Sequence, residues 1–203
     1  MSSQKLFYMP DVEDSELVAR AQKGDREAFS RLVARYYERV FQTLYTLVGD
    51  RDDAEDLTQE VFIKAYRSIH RFRSDARFFT WLYRISYNCF VDWTKGRKRK
   101  GGIARDPAWW GQCDAEDGLF VQAKSPDERA FQGKLGETLE DALQTLSPDY
   151  RAVVVMREWE GFSYLEIARM LNCSVGTVKS RLFRAKAQLQ KVLQPAYQEW
   201  VAA

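Results

Sequence analysis

A helix face near the C-terminus carries the residue types that read nucleic acids. Apolar residues recur at helical spacing from Val175 to Leu189, and the side chains opposite them are hydroxylic, cationic or small. The candidate contact residues on this face and its flanks are Thr177, Lys179, Ser180, Arg181, Phe183 and Arg184. Arginine can hydrogen-bond guanine through two atoms in the major groove, and threonine or phenylalanine can touch the thymine methyl group. A solvated helix in a bundle is the alternative for the same pattern.

The residues before this helix predict how it is positioned. Ser163 and Glu166 have the spacing of a capping box, which starts a helix. Asn172 can adopt the left-handed conformation that ends that helix, and Ser174 can cap the next one. Two capped helices joined by so short a turn predict a helix-turn-helix, in which the second helix enters the major groove.

A second candidate nucleic-acid surface lies in the segment 70–100. Aromatic and cationic side chains alternate there, and single-stranded nucleic acid needs both, for base stacking and for phosphate neutralisation. The aromatic, cationic and polar side chains available in this segment include Phe72, Arg73, Arg84 and Asn88. The alternative is that the aromatic side chains of this segment belong to the core, and we favour that alternative for Phe78 and Trp81.

The helix predicted for 52–69 is acidic near its start, where carboxylates suit the helix dipole. Asp53, Glu55, Asp56 and Glu60 could hold the metal of a nuclease, but the sequence offers no second cluster to converge on them. The sequence also lacks a glycine-rich phosphate loop, a nucleophile paired with a base, and clustered cysteine and histidine ligands. We therefore expect no catalytic residue, no metal site, no cofactor and no small-molecule substrate.

Composition narrows the class of protein further. The length of 203 residues allows one domain or two small ones, and a hydrophobic content of 45% is enough to form their cores. The net charge of +2 is low for a protein that binds DNA unaided, but acidic and basic residues are segregated along the chain, which indicates separate partners for separate patches. No apolar run reaches membrane-spanning length and the N-terminus lacks the apolar core of a signal peptide, so we expect a cytoplasmic protein.

Helical periodicity predicts an all-α protein of two small helical domains joined by a flexible linker, the second containing the helix-turn-helix. The linker is predicted because this segment contains several glycines and prolines and shows no sustained hydrophobic periodicity. The sequence suggests no function for the Trp109–Trp110 pair within it. The predicted boundaries are an N-terminal tail over 1–13, a first domain over 14–97, a linker over 98–127, a second domain over 128–195 and a tail over 196–203.

Three strings in these segments resemble bacterial sigma factors of the extracytoplasmic-function (ECF) group, especially its sigma-E-like members. They are VGTVKSRLFRAK at 175–186, DLTQE at 56–60 and RFRSDARFF at 71–79. The resemblance implies that the first string reads the −35 promoter element. It implies that the second docks on the β′ coiled coil of RNA polymerase, with Asp56, Gln59 and Glu60 as contact residues. The third resembles the loop that holds a flipped base of the −10 element, with Phe72 at the matching position, and the same resemblance favours a −10 contact role for Asn88.

The resemblance also implies partners. These are core RNA polymerase, through its β′ and β subunits, promoter DNA, and an anti-sigma factor, often membrane-anchored. The chain would direct promoter recognition and melting without catalytic chemistry of its own. The rival interpretation is a helix-turn-helix regulator that acts without polymerase docking, which leaves the DLTQE and RFRSDARFF strings unexplained.

Overall fold

The computed structural model describes residues 13–73, 77–99, 136 and 138–202, and these form helices and no strand. The first module, residues 14–99, contains α1 (Asp14–Gln22), α2 (Arg26–Val48), α3 (Arg51–Ser68), a 3₁₀ turn (Ile69–Arg71) and α4 (Phe78–Arg99). The second module, residues 138–202, contains α5 (138–144), α6 (Pro148–Val154), a π-helical turn (Val155–Trp159), α7 (Tyr164–Leu171) and α8 (Val175–Ala202). The predicted N-terminal tail and most of the predicted linker lie outside the described residues.

Side-chain caps fix where the helices begin. Asp25 accepts a hydrogen bond from the Ala28 amide at 3.1 Å, and Asp50 accepts one from the Asp53 amide at 2.9 Å. Gly49 ends α2 in the left-handed conformation, with φ at +74°, which turns the chain back into α3. The result is an antiparallel arrangement that lets successive helices pack against each other.

The apolar stripes predicted from periodicity form the two cores. On α3 the apolar residues at helical spacing are all buried, and they are Ala54, Leu57, Val61, Ala65 and Ile69. On α8 the buried residues include Val178, Leu182, Ala185 and Leu189, again as periodicity predicts. The all-α class and the helix-turn-helix are therefore confirmed. None of the described helices is long and apolar enough to span a membrane.

Two local predictions are wrong. Periodicity predicts that Trp159, near the end of the helix before Gly161, is part of the core. In the structure Trp159 is 46% exposed, because the π-helical turn adds a residue and rotates the side chain outward. Pro195 is predicted to lie beyond the recognition helix, yet α8 continues through it to Ala202, so residues 196–202 are helical. Proline cannot donate to the carbonyl of Lys191, but this part of α8 is exposed and water can bond that carbonyl.

The two modules pack directly on each other. Ala152 and Val155 of the second module belong to the core of the first, while Tyr83 of α4 belongs to the core of the second. Sequence periodicity predicts the two modules but contains no prediction of this contact.

Candidate nucleic-acid interface

The helix-turn-helix is held by the hydrogen bonds its sequence predicts. The Ser163 backbone amide donates to the Glu166 carboxylate at 2.9 Å, and the Glu166 amide donates to the Ser163 hydroxyl at 3.3 Å. Hydrogen bonds from the Ser163 hydroxyl and backbone lower the pKa of Glu166. Asn172 ends α7 with φ at +50°, and the Ser174 hydroxyl accepts from the Thr177 amide at 3.0 Å. The start of α8 is thus fixed relative to α7.

The predicted contact residues on the outer face of α8 differ in their exposure and in their side-chain partners. Phe183 is 40% exposed and Lys179 is exposed, with its ammonium 5.8 Å from the Tyr164 ring. The Ser180 hydroxyl donates to the Thr177 carbonyl at 3.0 Å. Arg184 is partly exposed on the same side of the helix.

Arg181 differs from these residues because its side chain is held in an ion pair within the second module. Its guanidinium pairs with the Asp149 carboxylate at 3.1 Å, and its side chain is only 28% exposed. To bind DNA, Arg181 has to leave this carboxylate or share it.

Arg84 and Asn88 are exposed on the outer face of α4, one turn apart, and Arg73 is exposed on the loop before α4. Phe72 is in a different position: it is 8% exposed, with its ring centroid 5.2 Å from Trp81 and 5.8 Å from Phe78. The core prediction for Phe78 and Trp81 is confirmed, since Phe78 is buried and Trp81 packs against the core. A base-holding role for Phe72 stays a prediction.

The carbonyls of the loop that carries Phe72 are tied to α1. The Gln22 side-chain amide donates to the carbonyl of Phe72 at 2.8 Å and to that of Ile69 at 3.0 Å. Because Gln22 is far away in sequence, this support was missed, and no short-range signal could have revealed it.

The predicted polymerase contacts share one exposed face of α3. Asp56, Gln59 and Glu60 are all exposed, and Glu60 pairs with Lys64 at 2.7 Å. Ile63 lies one turn further along the same face and is 50% exposed, next to Tyr66 at 44%. Sequence reasoning missed Ile63, although it completes the i, i+3, i+4, i+7 spacing that begins at Asp56.

The carboxylates of α3 do not converge on a common point. Asp53 pairs with Arg97 at 3.4 Å, and Glu55 pairs with Arg51 at 3.1 Å. Across the described ranges, no group of three or more histidine, cysteine, aspartate or glutamate side chains is placed to hold a metal ion. The described geometry therefore gives the nuclease interpretation no support.

Comparison with known proteins assigns both modules. The family model described as Sigma-70 region 2 matches residues 32–100, and that described as Sigma-70, region 4 matches residues 136–189. The chain is 37% identical over 187 residues to the RNA polymerase sigma-H factor of Pseudomonas aeruginosa, covering 92% of this chain and 97% of that protein. It is 36% identical over 182 residues to the ECF RNA polymerase sigma-E factor of Escherichia coli K12, covering 90% and 95%.

Solved structures agree with the sequence comparison. CnrH in complex with the cytosolic domain of CnrY is similar at a TM-score of 0.62 and 26% identity, covering 90% of this chain and 97% of that one. The sigma factor RpoE of Bartonella quintana, in complex with the anti-sigma factor NepR, is similar at a TM-score of 0.59 and 26% identity, covering 82% and 96%.

Proposed function

Since this chain belongs to the sigma-70 family and to its extracytoplasmic-function group, we propose that three of its surfaces divide the work of a sigma factor between them. The protein binds core RNA polymerase and directs promoter recognition, DNA melting and transcription initiation. It is not an enzyme: the polymerase supplies the catalytic chemistry.

The outer face of α3 docks on core polymerase, and this face carries the proposal. Asp56 and Glu60 supply carboxylates for a basic partner, and Gln59 supplies an amide between them. Ile63 adds an exposed apolar side chain to the same face. Interfaces depend on such an apolar anchor surrounded by polar groups that exclude water.

The outer face of α4 and the preceding loop bind the melted −10 strand. Arg73 and Arg84 neutralise phosphates, while Asn88 supplies a polar contact to a base. Phe72 takes the base-holding role that the family resemblance assigns to it. Because its ring is mostly covered by Phe78 and Trp81, a base reaches it only after the loop shifts or at the uncovered edge of the ring.

The outer face of α8 reads the −35 element in the major groove. Ser180, Phe183 and Arg184 are placed for base edges, because they lie opposite the buried stripe. The remaining contacts, from Thr177, Lys179 and Arg181 at the flanks, go to the phosphate backbone.

An anti-sigma factor, membrane-anchored or soluble, holds the protein inactive in the cytoplasm, where core polymerase and DNA are found. The support is that one similar solved chain is a sigma factor in complex with the anti-sigma factor NepR, and that another, CnrH, is in complex with the cytosolic domain of CnrY. Affinity capture of the full chain from uninduced cells tests this. We expect a captured partner that chemical crosslinking attaches to α3 or to the promoter-reading faces.

Run-off transcription tests the proposed function as a whole. Purified core polymerase is combined with this protein on a promoter library, and we expect specific transcripts that need both components. Core polymerase alone is the control. Promoter binding by the protein without any polymerase association or transcript would instead support the regulator that acts without polymerase.

A further inference from the structure

α4 is buried on two faces, which is more than the first module alone requires. One face, with Leu82 and Phe90, packs into the core of that module. The other face carries Phe79, Tyr83 and Tyr87 at four-residue spacing, which puts them in line along one side of the helix. This aromatic stripe faces the second module, and Tyr83 is 2% exposed as a result.

Phe162, in the turn between the π-helical segment and α7, packs against the aromatic stripe. Its ring stacks on Phe79 with centroids 6.1 Å apart and planes 9° apart, and it meets Tyr83 edge-on at 4.9 Å. Both geometries are favourable for aromatic pairs. The two modules are therefore joined by a specific aromatic contact.

Glu160 adds a charged contact beside the aromatic one. Its side chain is only 6% exposed and accepts hydrogen bonds from Arg39 on α2, from Nε at 2.9 Å and from Nη2 at 2.8 Å. Its second carboxylate oxygen accepts from the Thr43 hydroxyl. The Arg39 guanidinium also lies 3.7 Å from the centre of the Phe79 ring, so one arginine links both contacts.

Arg151 joins the modules a third time, at the end of α2. Its buried guanidinium donates to the Leu47 carbonyl in the last turn of α2, where the helix dipole favours a cation. It also donates to the carbonyls of Gln144 at 3.0 Å and Leu146 at 3.2 Å in its own module. Burial lowers the pKa of Arg151 to about 10, so the group stays charged at neutral pH.

The contact is not optimised to be permanent. Within the described part of the chain, the buried Tyr83 hydroxyl has no hydrogen-bond partner, which destabilises the closed arrangement because water would satisfy it on opening. A contact that buries unsatisfied and charged groups is typical of modules that separate.

We propose that the seam, defined as Phe79, Tyr83, Tyr87, Arg39 and Thr43 against Glu160, Phe162 and Arg151, is an autoinhibitory latch of the free protein. The proposal rests on the proposed function, because it concerns the simultaneous use of two DNA-reading surfaces. Closed, the seam sets α4 directly against the module that carries α8.

Promoter geometry requires this latch to open. The two elements are about 25 base pairs apart, which is about 85 Å along B-form DNA at about 3.4 Å per step. The aromatic stripe of α4 touches the second module at ring-contact distance, so a closed chain cannot place α4 and α8 on both elements. Polymerase that holds both modules at promoter spacing therefore selects the open form. The apparent affinity of the protein for polymerase is the affinity of the open form multiplied by the fraction of the free protein that is open.

Charge exchange across the seam tests the latch. Arg39→Glu places a second carboxylate beside that of Glu160. This single substitution is sufficient for the test, because Arg39 is half exposed and its replacement leaves the core intact. Glu160→Arg opposes two cations, and the combined exchange restores an ion pair of reversed polarity. Arg26→Glu is the matched control, since it makes the same charge change at an exposed position on α2 away from the seam.

The readouts are the radius of gyration of the full chain by small-angle X-ray scattering and its affinity for core polymerase. We expect Arg39→Glu to increase the radius of gyration and to tighten binding to core polymerase about tenfold. A tenfold gain is expected if about 90% of the free wild-type protein is closed. The exchange should reverse both effects, and Arg26→Glu should cause neither.

An unchanged radius in Arg39→Glu would overturn the latch. Expansion without tighter core binding would overturn its inhibitory role, and a folded exchange variant that stays expanded would overturn the ion pair as its basis. If the wild-type chain does not bind core polymerase, the proposed function fails, while the radius measurement still decides whether the seam is a latch.

Discussion

The outer face of α3 and the seam face of α4 belong to the same module but differ in what covers them. On α3, Asp56, Gln59, Glu60 and Ile63 are all exposed in the closed chain. On α4, Tyr83 is buried by the second module. Polymerase docking is therefore possible before the modules separate, whereas joint reading of two promoter elements is not. The closed chain thus leaves the proposed docking face of α3 accessible while it keeps the seam face of α4 covered.

The largest expected effect separates buried from exposed residues of the predicted −10 site. Phe72→Ala should lower the free energy of unfolding by about 3–5 kcal/mol, because it leaves a cavity beside Phe78 and Trp81. Asn88→Ala, at an exposed position, should change stability by less than about 0.5 kcal/mol and still weaken promoter melting. Urea titration and permanganate footprinting of the holoenzyme measure the two effects. Equal stability of both variants would show that Phe72 does not support the fold.

The second prediction concerns the exposed face of α3. Replacing Asp56, Gln59 and Glu60 with alanine should weaken core binding by about 2 kcal/mol or more, roughly 30-fold, without loss of helicity. The defect should be larger in the association rate at low salt, because exposed charges steer the encounter. Surface plasmon resonance against core polymerase measures both.

The matched control for this triple variant lies on α2. Glu38 and Gln42 are an exposed carboxylate and amide joined by a 2.7 Å hydrogen bond, away from the α3 face. Their double replacement with alanine should leave core affinity unchanged. If the triple variant is folded and binds core as the wild type does, α3 is not the docking surface.

A third prediction separates base reading from phosphate binding on α8. In the holoenzyme, Arg184→Ala should cost about 1–3 kcal/mol and relax preference at one position of the −35 element. Lys179→Ala should weaken binding on all sequences alike and reduce the salt dependence by about one unit. Affinity for single-base promoter variants at several salt concentrations distinguishes them, and a uniform loss with Arg184→Ala would make that residue a phosphate contact.

The smallest effect concerns the capping box of the helix-turn-helix. Glu166→Ala should reduce stability near neutral pH by about 0.5–1 kcal/mol, since it removes a hydrogen-bonded carboxylate from the first turn of α7. The pKa of Glu166 is lowered in the fold, so its contribution is present above the ordinary value of 4.5 and is lost as the pH falls through the lower folded value. Thermal unfolding of both proteins across this range should show the difference shrinking in acid. A difference that persists in full at low pH would exclude the carboxylate as its source.

Sequence predicted what depends on local patterns. The caps at Ser163 and Ser174 and the left-handed Asn172 are short-range features, and the structure has each of them. The buried stripes of α3 and α8 follow from helical period alone. The assignment to sigma factors came from three strings of residues and is confirmed by comparison.

What escaped the sequence depends on contacts between distant residues. The stripe of Phe79, Tyr83 and Tyr87 was visible as spacing, but nothing nearby in the chain shows that Phe162 covers it. The π-helical turn that exposes Trp159 has no local signature either. For the predicted site residues, exposure could be anticipated from the helix face, except at Phe72 and Arg181, whose neighbours come from tertiary packing.

Hydrogen exchange of the full chain, free and bound to core polymerase, tests docking through α3 and opening of the seam most directly. On binding, amides of α3 over Arg51–Ser68 should exchange more slowly, because the outer face of that helix becomes covered. Amides around Phe162, which the closed seam shields, should exchange faster in the same complex. Unchanged exchange in α3, or a segment around Phe162 that stays as protected as in the free chain, would contradict the account.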